Sequence, residues 1–395
     1  MSGTINSCKA TSMVRKLSLI SRRALLAGSA GLMGAAAVVS GIVRARRTRR
    51  PVTFAIQAPI RQDWLDKRHE EIIEPGLPIV DPHHHLWDRP GYRYLFQDLL
   101  ADIGSGHNIR ATLFEECGAM YRTGGPPELR SLGETEFANG VARMSASGKY
   151  GPTRCCSGII GNVDLRIGFR AKAVLEEHLA VSDGRLRGIR NSSAWPSDPS
   201  LKIYSPAPQS LLLDKSFREG FAALAVLGLT FDAWMFQTQL KDLVDLARAF
   251  PHTTIVLNHV GGPLAIGPYA GKREEAFTEW RDGIHAVASL PHTYVKLGGL
   301  GMRLISFTFF ENDQPPSSED LAQAWRPYIE TCIEAFGAQR SMFESNFPVD
   351  KGTCSYQVLM EHLQADRGRV FRRREDCAVW RRCVESLSLD GMSRF

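Results

Sequence analysis

The stretch LPIVDPHHHLWD, residues 77–88, joins the pattern of a buried strand to a cluster of histidines. Its first five residues form an apolar, partly β-branched run that is typical of a strand. Side chains alternate along a strand, so Asp81, His83 and His85 are expected on one face and His84 on the other. The H-x-H spacing therefore lets two imidazoles converge on one point.

Two converging imidazoles predict one of two kinds of site. Neutral imidazole nitrogens bind divalent metals such as Zn or Mn, and they also hold and polarise a carbonyl oxygen. From the spacing alone, a third interpretation stays open, in which the two histidines have their hydrogen bonds satisfied at a strand end and play no part in a site.

Similar short apolar runs recur along the chain, with helical patterns between most of them. The predicted helices are Arg170–Val181, Asp214–Leu227, Leu240–Phe250, Arg273–Leu290 and Ser318–Phe336. Eight strands separated by helices in about 300 residues predict a (β/α)8 TIM barrel in the α/β class. The alternative, a doubly wound sheet, would need a glycine-rich phosphate turn after an early strand. None follows LPIVD, so no nucleotide cofactor is expected. The eight runs are Leu77–Asp81, Ile109–Glu115, Cys156–Asp164, Leu186–Arg190, Leu229–Met235, Thr254–His259, Thr293–Leu297 and Ser341–Glu344.

The first 50 residues differ in composition from the rest of the chain. They hold ten of the 48 Lys and Arg residues and no acid, so the remainder carries 38 basic and 42 acidic residues. A folded part with net negative charge argues against nucleic-acid binding. The uncharged residues 24–43 follow Arg22-Arg23, which predicts a twin-arginine export signal or a membrane anchor. The protein is then expected in the cell envelope or periplasm or at the membrane, and in the cytoplasm if the leader is unused.

These patterns divide the chain into four parts. Residues 1–50 form the leader, 51–76 a linker, 77–360 the barrel and 361–395 a divergent tail. A barrel of this kind carries its chemistry at the carboxyl ends of its strands. The candidate site residues beyond the H-x-H pair are therefore Glu116, Tyr121, Arg122, Arg190, His259, Asn346 and Asp350. Arg190, or Tyr121 and Arg122 from a loop, would hold a negative group of a small-molecule substrate.

Three segments together resemble the amidohydrolase-related family. They are IVDPHHHLWD, TTIVLNHVGGP and RSMFESNFPVD, and they look most like the branch of lactonases that act on sugar-derived or dicarboxylate lactones. The resemblance implies a (β/α)8 barrel with His83 and His85 at its first strand and His259 at its sixth. It also implies one divalent metal on these three histidines if a metal is bound, although some lactonases work without one.

Asn346 departs from the pattern of that family, whose members usually carry Asp at this place. An Asn side chain cannot ionise. Three hypotheses follow: Glu116 or Asp350 serves as the base, His259 is the base while Asn346 orients the water, or the site binds without turnover. The predicted function is accordingly a hydrolase that opens a lactone or similar cyclic ester. The alternatives are a metal-dependent decarboxylase on the same barrel and a catalytically impaired binding protein.

Overall fold

The computed structural model describes residues 57–362, apart from residues 200, 202, 204 and 205. The predicted leader of residues 1–50 lies outside this range, and so do residues 363–395 of the predicted tail. Within the described range, no helix combines the length and the apolar composition that crossing a membrane requires.

Eight parallel strands form the predicted barrel. They pair in chain order, and the segment after the last strand returns to the first strand through the bridge between His84 and Phe347. The (β/α)8 prediction is therefore confirmed. The barrel strands are β1 (Ile79–His84), β4 (Ile109–Glu115), β5 (Arg154–Gly161), β6 (Leu186–Ser192), β7 (Thr230–Trp234), β8 (Ile255–Leu257), β9 (Thr293–Leu297) and β10 (Ser341–Phe343), while β2 (Trp87–Arg89) and β3 (Tyr92–Tyr94) form a separate hairpin.

The helices follow the strands as the periodicity indicates. Five of them match helical patterns of the sequence to within a few residues, whereas α1, α2 and α3 do not correspond to any predicted helix. The helix α3 was missed because much of its buried face is polar, including Glu134, Thr135 and Asn139. The helices are α1 (Gln62–Leu65), α2 (Phe96–Ile103), α3 (Leu132–Ala146), α4 (Ala171–Val181), α5 (Lys215–Leu227), α6 (Leu240–Ala249), α7 (Arg273–Ala288) and α8 (Ser318–Phe336).

The apolar core has two parts, as expected when a sheet closes on itself. A small cluster made by Val80, Ala111, Leu113, Val256 and Met342 belongs to the strands alone. A much larger cluster joins the strands to the surrounding helices. The small inner cluster leaves the carboxyl ends of the strands to polar side chains, and these build the site described below.

The described part of the predicted linker is docked on the barrel. Trp64 donates its indole N–H to the carbonyl of Asn312 at 2.9 Å, and Glu70 accepts the backbone N–H of Ser318 at 3.0 Å. Ala58 touches Gly352 so closely that a Cβ on that glycine would lie 2.2 Å from the Ala58 oxygen. This segment therefore braces the loops that follow β9 and β10, at the carboxyl end of the barrel.

We expect Trp64→Ala to destabilise the fold by about 3–5 kcal/mol, because it removes a buried aromatic ring and its hydrogen bond. The measurement is urea unfolding followed by circular dichroism. Ile73→Ala in the same segment is the control: its side chain is 61% exposed, so a change within about 0.5 kcal/mol is expected. Equal losses in the two variants would contradict the bracing role.

Candidate functional site

Three histidine rings meet at the carboxyl end of the barrel. The Nε2 atoms of His83 and His85 lie 3.2 Å apart, and the ring centres of His83 and His259 are separated by 4.6 Å. All three residues are buried. His259 lies two residues beyond β8, in a backbone conformation with φ of +54°, rather than at the strand end as the sequence suggested. This turn brings its ring over the barrel mouth.

The other two side chains of the DPHHH segment serve the scaffold. His84 points away from the cluster, where its Nε2 lies 2.8 Å from the Thr112 hydroxyl. Asp81, expected on the face of His83 and His85, accepts hydrogen bonds from the Ser345 and Tyr356 hydroxyls at 2.6 and 3.1 Å. Its carboxylate therefore ties β1 to the segment after β10.

Glu344 is the central site residue that the sequence reasoning missed. Its Oε1 lies 2.7 Å from His259 Nδ1, and its Oε2 lies 2.7 Å from His83 Nδ1. His85 Nδ1 lies 2.9 Å from the Glu115 carbonyl oxygen. These oxygens can only accept, so the partners assign the proton of each neutral ring to Nδ1 and leave Nε2 with a free electron pair. The only sequence signal for Glu344 was its place at the end of the predicted strand Ser341–Glu344.

Burial keeps the three imidazoles neutral. It lowers the pKa of His83 and His85 well below the usual range, and the charges of Lys296 and Arg190 lower it further. Burial also lowers the pKa of His259, although the Glu344 carboxylate partly opposes this. Neutral imidazoles with free Nε2 atoms can bind a metal or accept a proton.

A buried lysine lies next to the histidines. Lys296 Nζ is 2.6 Å from an Asp232 oxygen, 2.9 Å from a Glu115 oxygen and 3.5 Å from His83 Nδ1. Its ammonium group is therefore paired with two carboxylates inside the barrel.

Arg190 and Glu116 bind each other, a contact that the predicted roles did not include. Arg190 Nε donates to Glu116 Oε1 at 2.7 Å, Nη2 donates to the Glu116 carbonyl, and Nη1 lies 3.4 Å from His83 Nε2. The guanidinium predicted to hold a substrate anion is therefore already paired. The Glu116 carboxylate predicted as a base is likewise engaged, because it accepts a hydrogen bond from the Arg190 guanidinium.

The loop residues proposed for substrate binding do not join the cluster. Arg122 forms a bidentate, half-exposed ion pair with Glu136 of α3, and Tyr121 is exposed on the same loop. The sequence placed them near Glu116 along the chain. Proximity to Glu116 in the sequence does not fix where these side chains point, because the path of the loop backbone sets their direction.

Asn346 and Asp350 form a buried pair beside the histidines. Asn346 Nδ2 donates to Asp350 Oδ1 at 3.0 Å, and the backbone N–H of Asn346 donates to the His83 carbonyl at 3.0 Å. Burial raises the pKa of Asp350 to about 8. Both residues are therefore part of the site region, although the carboxylate of Asp350 is engaged by the Asn346 amide.

The donor set fits one divalent cation. Two nitrogen ligands about 2.0–2.1 Å from an ion lie roughly 3.3 Å apart in tetrahedral geometry, close to the separation of His83 and His85 Nε2. His83, His259 and Glu344 also offer ligand atoms within 4.8 Å of one another. In that group, however, Glu344 faces the Nδ1 atoms, which is where a metal-binding histidine normally meets its supporting carboxylate. The Nε2 side is therefore the better ligand position.

The charged side chains around the three histidines are also consistent with a divalent cation. Four carboxylates, of Glu115, Glu116, Asp232 and Glu344, face two cations, Arg190 and Lys296, so full ionisation leaves two negative charges. Among the described residues, one buried oxygen of Glu115 and one of Asp232 have no hydrogen-bond partner. Burial, reinforced by Asp232, raises the pKa of Glu115 to about 8. A divalent cation would balance the surplus.

The comparison with known proteins identifies the family. Residues 80–372 match the family model described as Amidohydrolase, and the chain belongs to this family of enzymes. It is 31% identical over 308 residues to the Sinorhizobium fredii protein y4mH, which covers 72% of this chain and 89% of that protein. The resemblance stated from the three sequence segments is thus confirmed.

Two relatives from Burkholderia multivorans refine the comparison. An L-fucono-1,5-lactonase is 26% identical over 318 residues, which is 77% of this chain and 94% of that protein. The crystal structure of an amidohydrolase with bound zinc aligns with a TM-score of 0.59 at 21% identity, over 79% of this chain and 99% of that one. The lactonase relative supports a hydrolase, and the crystal structure supports the barrel fold.

We expect Lys296→Met to destabilise the fold by about 3–5 kcal/mol, because it leaves Glu115 and Asp232 buried without their shared cation. Denaturant unfolding measures the loss. The control is Lys172→Met on the surface of α4, whose half-exposed pair with Glu176 contributes no more than about 0.5 kcal/mol. A Lys296→Met protein as stable as the unmodified protein would show that these buried ion pairs do not stabilise the fold.

Proposed function

We propose that this protein hydrolyses an uncharged lactone derived from a sugar acid. The observation that carries the proposal is the contact of Glu344 with His259, next to the paired Nε2 atoms of His83 and His85. A histidine whose Nδ1 is held by a carboxylate and whose Nε2 is free is suited to take a proton from water. The lactonase relative supports the same reaction class.

The carbonyl end of the lactone belongs at His83 and His85. A divalent ion held there, zinc or manganese by the ligand chemistry, would supply Lewis-acid polarisation of the carbonyl. The two rings are fixed in direction by their Nδ1 contacts to Glu344 and the Glu115 carbonyl. Arg190 Nη1, 3.4 Å from His83 Nε2, adds positive charge where the carbonyl oxygen becomes negative.

His259 handles the proton in this proposal. Its Nε2 accepts a proton from the attacking water while the water oxygen bonds to the carbonyl carbon. Glu344, 2.7 Å from Nδ1, stabilises the imidazolium that forms. When the ring C–O bond breaks, the imidazolium returns the proton to the leaving oxygen. The product is the open-chain hydroxy acid, so lactone and water are fully accounted for.

The charges favour a neutral lactone over a dicarboxylate lactone. Among the described residues, the buried cations in contact with the histidines are Arg190 and Lys296, and each already faces two carboxylates. An anionic substrate would therefore meet no uncommitted cation beside the histidines in this part of the described chain. Hydroxyl groups, in contrast, can donate to the carboxylate oxygens that lack partners.

A lactone panel tests the reaction and its substrate class. We expect neutral aldonolactones to be opened with higher kcat/KM than dicarboxylate lactones in a pH-stat assay. Glu344→Gln and His259→Ala should each lower kcat by about 10²–10⁴-fold, because they remove the proton acceptor or its support. His252→Ala, an exposed histidine after α6, is the control that keeps its activity. Preference for the dicarboxylate lactones contradicts the charge argument, and no turnover of any lactone favours the binding-protein alternative.

Metal analysis tests the ligand assignment separately. We expect close to one zinc or manganese per chain after dialysis of the purified protein, and a loss of most of it in His83→Ala or His85→Ala. His84→Gln is the matched control, because its ring points away from the cluster toward Thr112. A fully active, metal-free protein would assign carbonyl polarisation to the imidazoles and Arg190 alone. It would also exclude the metal-dependent decarboxylase alternative.

A further inference from the structure

The pair formed by Asn346 and Asp350 has no role in the reaction as described so far. Asn346 follows β10 by three residues and takes the left-handed conformation, with φ of +54°. Asn adopts this conformation more readily than most residues. Its backbone N–H donates to the carbonyl of His83, so the residue is anchored directly to the first-strand histidine.

The pair sets the direction of the Asn346 amide. Asp350 Oδ1 accepts from Asn346 Nδ2 at 3.0 Å, and Asp350 Oδ2 accepts from the Gly301 N–H at 3.2 Å. The NH2 group of Asn346 therefore faces Asp350 in this contact. The amide oxygen Oδ1 then points the other way. It is buried and has no hydrogen-bond partner among the described residues.

An unpartnered buried acceptor costs free energy and therefore needs a donor from outside the chain. The surroundings indicate where that donor lies. Residues 299–301 contact the pair and the catalytic histidine together: a Cβ on Gly301 would lie 3.0 Å from Asp350 Cγ, and one on Gly299 would lie 2.6 Å from the His259 ring. Asn346 is thus joined directly to His83, and through Asp350 to the loop that lies against His259.

We propose that Asp350 is a positioning residue, which holds the Asn346 amide so that Oδ1 accepts a hydrogen bond from the attacking water. The inference rests on the proposed function and deepens it. In this arrangement the water donates one proton to Asn346 Oδ1 as a hydrogen bond and transfers the other to His259 Nε2. No bond to Asn346 forms or breaks, and the amide acts only by orientation.

The arrangement also explains why an amide is suited to position 346. An Asp there would place two carboxylates about 3 Å apart in a buried site, where like charges force them to share a proton. With Asn, the carboxylate stays on residue 350 and the neutral oxygen faces the reactants. The missing ionisable group at position 346 is therefore compatible with turnover when His259 is the base.

Exchange of the two side chains tests the proposal kinetically. Asp350→Asn lets the Asn346 amide rotate, and we expect kcat to fall about tenfold to hundredfold with KM changed less than about twofold. The double variant Asn346→Asp/Asp350→Asn restores an NH2 group facing an acceptor and again leaves an oxygen toward the reactants. It should recover most of the lost kcat.

The matched control is Thr353→Ala. The Thr353 hydroxyl donates to the Gly301 carbonyl at 2.8 Å, so this variant loosens the same loop without touching Asn346. We expect its melting temperature to fall while kcat stays within about twofold of the unmodified protein. An equal loss of kcat in Thr353→Ala, full activity of Asp350→Asn, or no recovery in the double variant would overturn the proposal.

A crystallographic readout separates this inference from the proposed function. The unmodified protein should show an ordered water within hydrogen-bond distance of Asn346 Oδ1, and Asp350→Asn should lose it. The absence of that water, or its persistence in Asp350→Asn, overturns the inference even if lactones are opened. If no lactone is opened, the proposed function fails, and the water position alone decides whether Asp350 orients Asn346.

Discussion

The contact of one carboxylate with two imidazoles organises this active-site region. Glu344 faces His83 from β1 and His259 from the turn after β8, so three distant parts of the chain meet at a single side chain. Both rings thereby have Nδ1 engaged by the carboxylate and Nε2 on the opposite side. Without Glu344, the histidines would still be close together, but neither their direction nor their proton positions would be determined.

The cost of burying this chemistry is met within the barrel itself. Desolvation of several carboxylates in a small volume is unfavourable unless cations and donors are nearby. Lys296 lies between Asp232 and Glu115, and Arg190 binds Glu116. This balance stabilises the site and at the same time commits the cations, and that commitment is the basis on which we propose a neutral substrate rather than an anionic one.

Much of the fold followed from periodicity, because the barrel repeats one strand-and-helix unit eight times. The strand bounds agree to within a few residues, and β4 and β9 agree fully. The helix α3 escaped because polar residues fill much of its inner face. The docking of residues 57–73 was also invisible to sequence reasoning, since its bonds go mainly to backbone carbonyl and N–H groups of remote loops.

The sequence by itself determined the barrel, its family and the placement of His83, His85 and His259 near one another, because strand spacing and local motifs carry that information. The tertiary structure decided which partner each polar side chain meets. It joined Arg190 to Glu116, turned Arg122 outward to Glu136, and placed Glu344 between two rings. These outcomes depend on contacts between residues up to about 260 positions apart, and direction across a closed barrel is not encoded in any local pattern.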